Sequence, residues 1–164
     1  MSRPHLFKSL KIIVPLLTSM ALLMCFDAWA ECKDTREMYQ ELKGNNLLQS
    51  NTNFNLMISS IPAGDGNIIS GITIISEVKS TLQIMSSLIV FVGFPLVLKN
   101  AEDRRMASLV LGQQAQFAIE SFEASTKVIN INLVKMTNQS LIQQAIISRD
   151  AIVNLRSTLM KHCT

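Results

Sequence analysis

Residues 68–98 read IISGITIISEVKSTLQIMSSLIVFVGFPLVL, and the spacing of the apolar side chains in this stretch decides the fold. Ile68, Gly71, Ile75, Val78, Leu82, Met85, Ile89, Val92 and Leu96 recur at alternating steps of three and four residues. Only a helix brings positions with that spacing onto one side, and the repeat holds for about four heptads. The competing reading pairs residues 54–61 with 68–75 as isoleucine-rich strands around the turn Pro62-Ala63-Gly64-Asp65-Gly66-Asn67. Strands need a period of two, which the seam does not have. The expectation is a helix over 68–100, capped at its start by Asn67 and bent near its end by Pro95.

The second half of this helix, residues 88–98, is apolar on nearly every side, and residues 80–98 carry no charge between Lys79 and Lys99. A one-sided surface helix does not have that composition. The central helix of a bundle, a membrane span or an exposed assembly helix does. Lys99, Arg104 and Arg105 beyond its C-terminal end suit a span running from outside to inside. A single crossing, however, would put Cys32 and Cys163 on opposite sides, where they could not pair. The expectation is therefore a bundle core, with the single-pass inner-membrane protein kept as the alternative.

Downstream, residues 101–127 open with Glu102 and Asp103, which suit the positive end of a helix dipole. Met106, Ala107, Val110, Leu111, Phe117, Ala118 and Phe122 fall on one side of that helix. The last helix, ending near Lys161, aligns Leu141, Ala145, Ile152, Leu155 and Leu159. Between the two, residues 125–134 contain neither Gly nor Pro, so no turn is obvious there. Arg149 and Arg156 project within the apolar stripe of the last helix. An unpaired buried charge is costly, so each needs a carboxylate or an exit to water. Glu77, Glu120 and Glu123 are candidate partners, and a docking face for another protein is the alternative reading.

Upstream, residues 34–48 have helix-forming composition, whereas residues 49–67 hold a single charge, Asp65, and many Asn and Ser side chains. The expectation for 49–67 is an ordered polar loop, with Phe54 and Met57 as its partner-contacting side chains. The N-terminus has Arg3, Lys8 and Lys11, then an apolar run of about 15 residues, then Ala28 and Ala30 at the −3 and −1 positions of a cleavage after Ala30. That order of regions is a secretory signal, and the run is short of the roughly 20 residues that span a bilayer. Met24 before Cys25 disfavours lipid attachment at that cysteine. The expected organisation is a signal peptide over 1–30 and one helical domain over 31–164, exported to the periplasm or the extracellular space.

Removing Arg3, Lys8, Lys11 and Asp27 from 15 basic and 12 acidic residues leaves 12 and 11, a formal charge of +1. With no block of like charge, binding to nucleic acid by phosphate neutralisation has no support. Cys32 and Cys163 then remain near the two ends, and in an oxidising compartment they are expected to form a disulfide. His162 is the single histidine of residues 31–164, and no glycine-rich phosphate loop, His-Glu-x-x-His or Cys-x-x-Cys occurs. These absences argue against catalytic, metal and cofactor sites, so the expected protein is not an enzyme. The fold expected is an all-α antiparallel bundle of three to four helices. Its expected role is a non-enzymatic interaction protein, an adaptor or accessory subunit of an envelope or secretion assembly, with Arg149, Arg156, Phe54 and Met57 as candidate protein contacts. A carrier holding an apolar ligand between helices is a further alternative, supported by the richness in Ile, Leu and Met.

Overall fold

The computed structural model describes residues 31–163, and the expected leader lies outside them. Five helices follow one another: α1 (Thr35–Lys43), α2 (Leu47–Ser59), α3 (Asn67–Val97), α4 (Ala101–Leu133) and α5 (Gln139–His162). No strand occurs among the described residues. α3 packs along α4, and α4 along α5. α1 and α2 run end to end over the groove between α3 and α5 and complete an all-α antiparallel bundle as its broken fourth member.

The seam of α3 buries Gly71, Ile75, Val78, Met85 and Val92, leaves Ile68, Leu82 and Ile89 half-buried, and exposes Leu96 at the end. A bundle core is thus what most of that pattern encodes. Gly71 has a packing reason: a methyl group added there would overlap the Ile58 side chain of α2. α3 runs two residues beyond Pro95 before Leu98 turns extended. Asn100 then starts α4, its side chain accepting the Glu102 N–H at 2.9 Å.

Three sequence expectations are corrected. First, residues 49–67 are not a loop, because α2 occupies most of them and the turn is confined to 60–66. Leu47, Ser50, Asn51, Phe54 and Ile58 are spaced for one helical face and are buried. The polar Ser50 and Asn51 on that face are what made it look like a loop, yet Ser50, and Asn45 just before the helix, bond across to α5. Ser50 and Ser148 share a hydroxyl hydrogen bond, Gln144 Nε2 donates to the Ser50 carbonyl at 3.3 Å, and Asn45 Nδ2 donates to the Ala151 carbonyl at 3.0 Å.

Second, the buried face of α4 is rotated from the expected stripe. Ser108, Leu111, Gly112, Ala115, Ala118, Phe122, Ser125, Ile129 and Asn132 point inward, whereas Met106, Val110 and Phe117 are exposed. Small side chains let helices approach closely, so a seam of Ser, Gly and Ala buries well while scoring as weakly apolar.

Third, Asn67 does not cap its own helix. Its buried side chain ties the start of α3 to the turn before α5, with Oδ1 accepting the N–H groups of Thr137 at 2.7 Å and Asn138 at 3.3 Å. Asn138 in turn caps α5, accepting from Ser140 N and Leu141 N. These side-chain amides supply the chain reversal that Gly or Pro would otherwise mark. Replacing Asn67 with alanine strands two backbone donors, and the expected loss is about 1–3 kcal/mol in urea denaturation.

The same turn has a pH signature. The backbone N–H of Asn67, and then its side-chain amide, hold the Asp65 carboxyl below its ordinary value of 3.8. A depressed carboxylate contributes stability that is complete above its unfolded value and disappears as pH falls through the lower folded one.

Candidate interaction surface

Three contacts fix how the long helices are staggered. Ser125 donates to Glu77 at 2.8 Å across α4 and α3. Arg156 donates to Glu123 at 3.0 Å, and Arg149 reaches Asn130 at 3.4 Å, across α5 and α4. Across α3 and α5, the contact of Asn67 with Asn138 puts His162, the end of α5, level with about residue 91 of α3. At 1.5 Å per residue, α3 therefore continues for roughly 9 Å beyond the end of α5, while its inner side chains there, Val92 among them, stay buried.

That projecting end is rich in unpartnered apolar surface. Val90, Phe94 and Val97 lie at i, i+4 and i+7 along one line of α3, and Phe94 and Val97 are 49% and 74% exposed. Leu96 on α3 and Met106 and Val110 on α4 are exposed as well. Charges ring the connection: Lys99, Glu102, Asp103, Arg104 and Arg105 are all exposed. Arg105 stands 3.7 Å from Glu102, and Arg104 reaches the Leu98 carbonyl at 3.5 Å. Isolated surface leucines and valines need no explanation, but a cluster on a protruding element is what marks an interaction site. The apolar excess in residues 88–98 is plain in the sequence, but which of its side chains meet solvent is not, because Leu88 and Val92 are buried in the bundle while Val90, Phe94 and Val97 are exposed.

The four side chains expected to contact a partner lie elsewhere. Phe54 is fully buried and belongs to the core, so it is withdrawn as a contact; Met57 is half-buried beside it. Arg149 and Arg156 are both half-buried on α5. Arg156 pairs with Glu123, one of the expected partners, whereas Arg149 pairs with Asp150 at 2.7 Å. The Glu123 carboxyl is held below its usual range mainly by the hydrogen bond from Lys127, with Arg156 adding to it. Glu77 is occupied by Ser125. Both arginines thus have partners within the chain, which is the plainer of the two readings of their position in the stripe.

At the C-terminal end of α5, the sulfurs of Cys32 and Cys163 stand at disulfide distance, as the cysteine count implied. The Lys33 N–H donates to the His162 carbonyl at 2.7 Å, so the start of the domain is laid against the end of α5. Such a pair is compatible with an exported protein. α3 is also long and apolar enough, by length and composition, to cross a membrane, although its inner face is packed within the bundle.

No known protein family matches the chain, and neither the curated proteins nor the solved structures compared with it give a match.

Proposed function

We propose that the protein is an exported, non-enzymatic helical adaptor or accessory subunit of an envelope assembly, and that it engages a protein partner through the projecting end of the α3–α4 hairpin. The observation that carries this reading is the line Val90, Phe94 and Val97, exposed at the end of α3 beside the exposed Met106 and Val110 of α4. Apolar and aromatic side chains ringed by charges of both signs have the make-up of a protein interface, a desolvated centre with a polar rim. An anionic bilayer would instead favour a uniformly basic rim, and Glu102 and Asp103 break that up.

A photo-crosslinking residue at position 94 or 97, introduced into the full chain in its native cell, tests this reading. The expected product is a discrete adduct with one other envelope protein, missing when the same residue stands at Gln83, outside the proposed surface. Phe94→Asp together with Val97→Asp is expected to abolish the association while shifting stability by no more than about 0.5 kcal/mol per site, as for other exposed positions. Adducts with lipid alone, with a second copy of the chain, or with nothing would overturn the proposal.

A second reading, membrane embedding of α3, is favoured by the length and apolarity of that helix. Carbonate extraction separates the two readings: release of the mature chain supports the adaptor, and retention in the membrane fraction supports embedding.

A further inference from the structure

We propose that Glu37, Glu41 and His162 form a binding site for a first-row divalent cation, with zinc as the best match. Glu37 and Glu41 sit one turn apart on the same face of α1. The disulfide and the Lys33–His162 backbone bond bring the last residue of α5 against that face. One ligand atom from each of the three side chains lies within 4.8 Å of the others.

The buried member of the trio points to a ligand. The His162 side chain is 2% exposed, and its Nε2 has no hydrogen-bond partner. Glu41 Oε2 is 3.6 Å away, too far for a hydrogen bond. Buried polar atoms are nearly always satisfied, and here an imidazole nitrogen without a hydrogen-bond partner faces two carboxylates, a donor set suited to a metal ion. A tetrahedral centre with bonds of about 2.1 Å sets its ligand atoms about 3.4 Å apart, close to the His162–Glu41 separation. A small rotation of the exposed Glu37 closes the third side. Imidazole with carboxylate selects zinc or a neighbouring transition ion over magnesium or calcium, which prefer oxygen alone. Three protein ligands leave a fourth position for water.

The position is already one that favours positive charge. Lys161 Nζ donates to Glu37 at 2.8 Å and to Glu41 at 2.7 Å, bridging the two carboxylates as a cation would. Those contacts, the hydrogen bond from Lys161 first, hold the Glu41 carboxyl below its ordinary value, and they raise the lysine. Lys161 is half-exposed on a flexible stem, so it can swing into water when a metal takes its place. Lysine and metal compete for one pair of carboxylates.

Calorimetric titration of the oxidised, tag-free protein with zinc chloride tests the assignment, with cobalt(II) as a spectroscopic probe of the ligand set. The expected result is one site per chain, a melting temperature that rises with zinc, and a tetrahedral cobalt spectrum. Lys161→Ala is expected to tighten binding about tenfold by removing the competitor, whereas Glu37→Gln and His162→Gln each weaken it at least about tenfold, the range seen when metal-site groups are altered. Glu37 is exposed, so its variant reports on the ligand set even if the histidine variant folds poorly. Absence of one-to-one binding to the unsubstituted protein overturns the proposal, even if Lys161→Ala binds. Binding that Glu37→Gln and His162→Gln leave unchanged overturns it equally.

Discussion

Replacing Cys32 with serine is expected to lower the melting temperature by about 10–15 °C, from a loss of roughly 2–5 kcal/mol. The two cysteines are 131 residues apart, so the link closes nearly the whole described chain into one loop. In the chain-entropy account, stabilisation grows with the logarithm of loop length, which places this link near the upper end of its range. The effect is also local. Cys32 and Cys163 are both buried, and Cys163 lies against Met38 at 3.7 Å. Without the link, α1 keeps its apolar contacts through Met38 and Leu42 but loses the tether that starts it beside α5. Scanning calorimetry of the variant, and of the native protein with and without reductant, measures this. A shift below about 3 °C by either route would mean that helix packing alone holds the ends together.

Phe54→Ala is expected to cost about 3–5 kcal/mol, the usual penalty for emptying a buried aromatic site. Phe54 is fully buried at the centre of α2, on the face that includes Leu47 and Ile58. α2 is 13 residues long and has no charged side chain, and at its start Asn46 makes no side-chain cap, although Asn45 Oδ1 accepts the Leu47 N–H at 2.9 Å. Isolated helices of that length are marginal in water, so its stability comes from packing and from the bonds of Ser50 and Asn45 to α5. Loss of the phenyl ring should loosen α2 as a unit. Urea denaturation followed by circular dichroism checks the value, and hydrogen exchange checks that amides of α2 open first. A cost below about 1 kcal/mol would contradict the packing of α2 against the bundle.

Whether a helix was legible in the sequence depended on how its buried face is built. In α3 and α5 large aliphatic side chains do the burying, and the period of Ile75, Val78 and Met85, or of Leu141, Ala145, Ile152 and Leu155, is plain without coordinates. In α4 the expected Leu111, Ala118 and Phe122 are buried, but the face is completed by Ser108, Gly112, Ala115 and Ser125, which an apolar scale discounts, so the larger Met106 and Phe117 rotated the expected stripe away from it. In α2 the buried Ser50 and Asn51 hid the helix altogether. The Asn67–Thr137 contact joins positions 70 residues apart, and no local pattern announces it.

The projecting surface was half visible: its composition was, its position was not. The acidic pair and the histidine lie at opposite ends of the domain, and nothing in the spacing of Glu37, Glu41 and His162 connects them. The disulfide expected from the cysteine count is what brings them together, so the cluster follows from a correct pairing carried one step further in space.

The meeting of the two ends also governs how the domain would respond to being pulled. Anything attached before residue 32 and anything attached after residue 163 connects through a single sulfur–sulfur bond. Tension between those attachments passes along covalent bonds and leaves the helices outside the load path. Such a module resists extension as a closed ring does, and only a reductant would let force begin to peel it open.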